Sequence, residues 1–138
     1  MPARDIFHHA VIHALERDGW KITHDPYLIY YELGKMYIDL GAEKVLAAEK
    51  ENKKIAVEIK SFIQTAAVSE FHTALGQFIN YRTILQESEP DRTLYLAIPD
   101  DTYHSLFQTR FVQKIMKNYK LKLIIYKPTE EIIEQWIN

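Results

Sequence analysis

The 138-residue sequence predicts one α/β domain over residues 1–138, a central mixed β-sheet flanked by helices. Three observations predict it. The early strand-like runs are joined by short turns. The later ones are joined through helical stretches. Between Ile55 and Lys60 apolar and polar residues alternate with the period of a strand.

The elements follow in order. Ala3 to Arg17 reads as a helix, with Ile6, Phe7, Ala10, Val11, Ala14 and Leu15 on one face and Asp18-Gly19 as its stop. Trp20 to Thr23 and Tyr27 to Tyr31 read as extended segments split by Asp25-Pro26. Tyr37 to Ala48 and Lys54 to Lys60 form an antiparallel hairpin around the charged turn Glu49 to Lys53. Ser69 to Leu85 is a long helix with Ser69 as N-cap and a stripe of Phe71, Leu75, Phe78, Arg82 and Leu85. Arg92 to Ile98 is a strand, and Tyr103 to Asn118 is helical, in one piece or two. Leu121 to Tyr126 is a last strand, and Pro128 to Ile137 a closing helix with proline in its first turn.

Composition narrows the function classes. A hydrophobic fraction of 47% and a charged fraction of 26% are those of a globular chain. The absence of cysteine excludes disulfides and thiolate metal sites and suits a cytoplasmic location. No secretory leader is expected at Met1-Pro2-Ala3-Arg4-Asp5, and no apolar run reaches the roughly 18 residues of a membrane span. The net charge of −2 gives no overall basic excess for binding nucleic acid. Any such contact requires basic groups focused on one face, or a partner that supplies them.

The hairpin carries the chemistry. Ile55, Val57 and Ile59 lie on one face of the second strand, and Glu58 and Lys60 on the other. In the first strand Ile38, Leu40, Ala42, Leu46 and Ala48 hold even positions, and Asp39, Gly41 and Glu43 odd ones. Merging the two apolar faces places even positions of the first strand beside odd positions of the second, and Asp39 on the face of Glu58 and Lys60. A regular ladder brings Glu43 nearer to Lys60 than Asp39. Asp39 and Glu58 therefore share an ion only if the strand bends, and Gly41 is where a bend costs least. The plainer reading is a solvated polar face with an incidental ion pair. Against it stands the apolar context: charge at the end of a core strand is costly unless paired or used.

These residues resemble a known pattern. Ile38-Asp39, then Glu58-Ile59-Lys60, then a helix is similar to the PD-(D/E)xK nuclease superfamily. The whole chain resembles a narrower family, the fdxN element excision-controlling factor XisH known from cyanobacteria. Arg4-Asp5-Ile6-Phe7-His8, Asp18-Gly19-Trp20, residues 38–43, residues 55–62 and Ala74-Leu75-Gly76-Gln77 carry that resemblance. It implies a restriction-endonuclease-like fold in which Asp39 and Glu58 hold Mg²⁺ or Mn²⁺. Lys60 would stabilise charge at a phosphate or orient the attacking water, and Gln77 would bind phosphate or orient water. It also implies an accessory role in excising a DNA element. DNA, a further excision-controlling factor and a separate site-specific recombinase would be partners, and self-association is left open. The alternative is a non-catalytic regulator that uses a nuclease fold to bind DNA or a partner. One departure is Ile38, where the superfamily pattern has proline.

Other groups carry less. Gln77 and Tyr81 share a helix face, and Gln77 reads equally well as a polar residue capping a helix–sheet contact. Asp5, His9 and His13 form a stripe that reads as solvent-facing in preference to a zinc site or a wall of the metal cleft. Tyr27, Tyr30, Tyr31 and Tyr37 suit strand packing or an interface. Lys50, Lys53 and Lys54 are offset by Glu49 and Glu51 in a solvated turn.

Overall fold

The computed structural model describes residues 6–33, 36–39, 45–63 and 67–138. The elements in chain order are α1 (His8–Arg17), β1 (Lys21–His24), β2 (Tyr30–Leu33), β3 (Met36–Asp39), β4 (Val45–Lys50), β5 (Lys53–Ile59) and α2 (Ala67–Ser88). They continue with β6 (Arg92–Pro99), α3 (Asp100–Tyr103), α4 (Arg110–Tyr119), β7 (Leu123–Lys127) and β8 (Ile132–Ile137). Six strands form one sheet in the order β1-β4-β5-β6-β7-β8, and β2 and β3 pair with each other in a second, two-stranded sheet. The pairs β5–β6 and β6–β7 are parallel; β1–β4, β4–β5 and β7–β8 are antiparallel. The sheet is mixed and flanked by helices, as expected from short early turns and helical later connections.

Two apolar layers cover it. Leu46, Ala48, Ile55, Val57 and Ile59 face α1 through Val11 and Leu15. Val45, Ala56, Leu94, Leu96 and Ile98 face α2 and α4 through Phe71, Ala74, Phe78, Leu85 and Val112. Ladder partners Leu46↔Val57 and Ala48↔Ile55 put even positions of β4 beside odd positions of β5, the predicted parity. Both faces of β5 are sealed, so the polar face of this strand is not a solvated one.

The α2 stripe is Phe71, Ala74, Phe78, Tyr81 and Leu85. Tyr81, not Arg82, continues it. Arg82 instead lays its guanidinium 5.2 Å from the Phe78 ring centre and donates 3.0 Å to the Lys120 carbonyl. The cation thus stays at the rim while its stem covers the core. Ser69 is inside the helix, two residues past its start at Ala67, and is not the cap.

Further expectations are corrected. The described parts of residues 37–48 fall in two sheets: β3, to Asp39, pairs with β2, and β4, from Val45, pairs with β5. Leu40, Gly41, Ala42 and Glu43, and the bend expected at Gly41, lie outside the described residues. Residues 132–137 are a strand, not a helix. Pro128 sits in the turn before it, Glu131 takes the left-handed conformation at φ 57°, and the chain returns antiparallel along β7. The β-branched pair Ile132-Ile133 and the ring of Trp136 suit a pleated, half-buried surface. Tyr103–Asn118 divides into α3, a single 3₁₀ turn at Leu106–Gln108, and α4. The break comes at Thr109, whose hydroxyl caps α4 by accepting from the Val112 N–H. Arg17 ends α1 as predicted, with Gly19 at φ 91° supplying the left-handed stop.

Phe107, fully buried, makes edge-to-face contacts with Phe62 (5.8 Å) and Phe71 (5.5 Å), joining the end of β5 to α2. Phe107→Ala is expected to lower unfolding free energy by about 3–5 kcal/mol in urea titration, as for large aromatic truncations in cores. Gly76 lies inside α2, and a Cβ there meets nothing within 4 Å. Gly76→Ala is expected to raise stability by about 0.5–1 kcal/mol in the same measurement.

Candidate functional site

Glu58 occupies a central strand, between Val45 of β4 and Leu96 of β6. Those two residues and Ala56, two positions back on the same face, belong to the α2-side core. The Glu58 carboxylate is therefore enclosed by hydrocarbon, and the residue is 1% exposed. Neither carboxylate oxygen has a hydrogen-bond partner among the described residues. Burial pushes its pKa from 4.5 up to about 8, and the neighbouring Lys60 ammonium pulls in the opposite direction.

Lys60 follows two positions along the same face. Its backbone is held on both sides: its N–H donates to the Ala97 carbonyl at 3.0 Å, and its carbonyl accepts from the Tyr126 hydroxyl at 3.1 Å. Its ammonium stands 3.8 Å from Glu58 Oε2 and donates 2.8 Å to Gln77 Oε1. The ion pair is close but is not a hydrogen bond, and the short contact is the one to Gln77. Glu58, Lys60 and Gln77 therefore meet at the carboxyl end of β5, under α2. Tyr81, one turn beyond Gln77, is 2% exposed and lies in the core.

Asp39 is the second predicted acid. Its backbone pairs with Tyr30 in the β2–β3 ladder. Among the described residues the β4–β5 ladder starts at the Val45–Glu58 pair. The bend expected to bring Asp39 toward Glu58 falls in residues 40–44, outside the described residues. Among the described residues, no group of three His, Asp or Glu side chains is arranged to hold a metal ion.

Two features escaped the sequence reading. Glu70, in the first turn of α2, accepts from the Phe62 N–H at 3.3 Å through Oε1, and its Oε2 is buried without a partner. It is seven residues before Gln77 and so on the same helix face, a spacing that was available. His8 is 1% exposed, and its Nε2 donates to Asp25 Oδ1 at 2.8 Å, while its Nδ1 is buried and unpaired. The carboxylate accepts only, so the proton sits on Nε2. Nothing local in the sequence marks a contact across 17 residues.

The remaining candidates are peripheral. His9 and His13 are exposed with ring centres 6.5 Å apart, and His13 Nδ1 reaches Glu131 Oε2 at 3.0 Å. Asp5 lies outside the described residues. Lys50 donates to the Asp18 carbonyl and Lys54 lies 3.8 Å from Asp91, so two of the three hairpin-tip lysines have local partners. A cleft of about 700 Å³ opens beside that hairpin tip, over Trp20, Tyr95 and Trp136, at the opposite end of β5 from Glu58.

The architecture is an α/β sheet with a sealed carboxylate and a paired lysine at the end of a core strand. The sequence matches the family described as XisH protein over residues 1–134. The chain belongs to the XisH family. It is similar to the crystal structure of an XisH family protein from Nostoc punctiforme, at 49% identity and a TM-score of 0.87, covering 97% of this chain and 100% of that one. It is also similar to the structure of a fdxN element excision controlling factor protein from Anabaena variabilis, at 49% identity and a TM-score of 0.86, covering 96% and 98%. No curated protein matches. No helix of the described residues is long and apolar enough to cross a membrane.

The Glu58 environment sets a pH dependence. Its folded pKa of about 8 lies above the ordinary 4.5, so the folded state binds more protons between those values. Stability contributed by the protonated form is complete below pH 4.5 and is lost progressively as pH rises toward 8. Glu58→Gln is therefore expected to melt at a higher temperature than the parent at pH 8 in chelator, with the difference vanishing near pH 4.5. A gap that does not narrow on acidification contradicts this assignment.

Proposed function

We propose that this protein is an accessory factor in the excision of a DNA element, and that Glu58, Lys60 and Gln77 form part of a phosphodiester-directed metal site. The observation that carries the reading is the Glu58 carboxylate, buried with neither oxygen hydrogen-bonded among the described residues and a lysine at 3.8 Å. A sealed carboxylate costs several kcal/mol unless something compensates it. A divalent cation would supply that compensation, and hard oxygen donors suit Mg²⁺ or Mn²⁺.

In this reading Glu58 is one ligand, and Asp39 the second through the superfamily resemblance. When bound, the ion supplies polarisation of a phosphoryl oxygen and a lowered pKa for coordinated water. The chain's own residues do the rest. Lys60, fixed by its backbone bonds and by Gln77, places positive charge where a scissile phosphate gathers negative charge. Gln77, through its amide, holds the ammonium in place and offers a donor to phosphate or water. Hydrocarbon from Val45, Ala56 and Leu96 excludes bulk water from Glu58. DNA, a second excision factor and a recombinase are the partners this reading implies, in the cytoplasm.

A second reading, a non-catalytic regulator on the same scaffold, is favoured by one observation. Asp39 is hydrogen-bonded into a sheet separate from that of Glu58.

Thermal melting with Mn²⁺ or Mg²⁺ at pH 8 separates the two. Wild-type protein is expected to gain several degrees at saturating ion, and Glu58→Gln to gain none. Lys60→Met is expected to retain the ion-induced gain while losing nicking of supercoiled plasmid by at least about a hundredfold. Equal ion-induced gains in wild type and Glu58→Gln overturn the metal site. An ion-induced gain without nicking by wild type supports the regulator.

A further inference from the structure

The net charge of −2 hides a sharp segregation. Between Asp101 and Glu130 the sequence holds no acidic residue, yet it holds Arg110, Lys114, Lys117, Lys120, Lys122 and Lys127. The rest of the chain carries all 19 acidic residues against 11 cations.

The fold gathers this charge onto one surface. α4 buries Val112 and packs Ile115 and Met116 against the α2-side core. Arg110, Lys114 and Lys117, at spacings of four and three, form a stripe on its opposite, exposed face. Lys120 and Lys122 continue the positive surface past the helix end. There Lys117, Lys120 and Lys122 border a cleft of about 440 Å³ floored by Met116, Leu121 and Ile137. None of these five cations has a carboxylate within 4.0 Å among the described residues, whereas Lys54, Lys60, Arg92 and Lys127 all do. A stripe of like charges on one helix face repels itself and lowers helix stability. Its unneutralised state is a cost that an anionic partner relieves.

We propose that the exposed face of α4 is a docking rail for the sugar-phosphate backbone of DNA, leading to the end of the sheet that holds Glu58 and Lys60. Arg110 to Lys117 spans about 10 Å of helix axis, the rise of about three nucleotides of one strand. Phe111, 54% exposed, stands at the Arg110 end of the stripe and packs against Phe71 at 6.3 Å and His72 at 6.4 Å. From Phe71 the contacts run through Phe107 to Phe62, two residues past Lys60. The Arg110 end of the rail and the candidate site thus rest on one buried aromatic cluster, of which Phe111 is the exposed member. Exposed aromatic surface beside cations suits nucleic acid, where a ring can meet a base or sugar while the cations take phosphates.

This inference rests on the DNA-directed reading above but not on metal or cleavage. It is tested in chelator by fluorescence anisotropy with a duplex of about 20 base pairs across a salt series. Lys114→Glu/Lys117→Glu is expected to weaken binding at least tenfold and to reduce the salt slope by about 2, two phosphate contacts' worth. Lys114→Gln/Lys117→Gln is expected to give a smaller loss in the same direction. Lys21→Glu/Lys53→Glu, which changes net charge equally at the β1 edge and hairpin tip, is expected to retain most of the affinity and slope. Melting temperatures confirm that the variants fold. Equal losses in the two charge-reversed proteins overturn the rail while leaving a DNA-binding protein. No salt-dependent binding by wild type overturns the rail and the DNA-directed reading together. An α4-dependent affinity for anionic vesicles with none for duplex assigns the face to a membrane surface and overturns the proposal.

Discussion

The structure turns on one uncompensated interaction, the burial of the Glu58 carboxylate on a strand whose two faces are both sealed. β5 sits between an antiparallel and a parallel neighbour, so its backbone is satisfied on both edges and its side chains on both faces meet core. Such a position normally takes an aliphatic residue. Lys60 softens the cost but bonds Gln77, leaving the two carboxylate oxygens without donors among the described residues. The rest of the site follows from holding that charge in place: a lysine with a pinned backbone, an amide from α2 to fix its tip, and the aromatic contacts of Phe62, Phe71 and Phe107 that fix α2 against the end of β5.

This arrangement separates the groups that are paired within the described residues from the one that is not. Sheet order, helix packing and the Lys60–Gln77 contact are complete in the protein. The environment of Glu58 is not. Membership of the XisH family is consistent with either a cleaving or a purely regulatory protein on this scaffold, because the fold positions the residues without dictating their chemistry. The basic face of α4 bears on both readings, since it would serve a DNA-holding regulator as well as a nuclease.

Much of this was legible in the residues because strand and helix periods are local. The alternation of Ile55 to Lys60 fixed which side chains share a face, and the apolar parity of β4 against β5 followed from merging two hydrophobic surfaces. The α1 stop at Gly19 was equally local. Where a decision depended on distant partners, local pattern misled. Residues 132–137 have apolar spacing that a helix or a strand can use, and only the neighbouring β7 edge settles it. The placement of Asp39 and Val45 in two different sheets is a tertiary choice that β propensity cannot express. The Lys60–Gln77 contact joins a strand to a helix across 17 residues; Gln77 was reached through the resemblance to a nuclease pattern and not through spacing. The α4 stripe, by contrast, has plain helical spacing, and overall net charge obscured it.

The two edges of the sheet carry a consequence for assembly. β1 is irregular between Ile22 and His24, and β8 bulges at Glu134, which reaches both His104 and Lys127. A kinked rim with a charged residue at the kink offers a poor template for a seventh strand. Copies of this chain are thereby discouraged from zipping side by side along these two strands into extended ribbons.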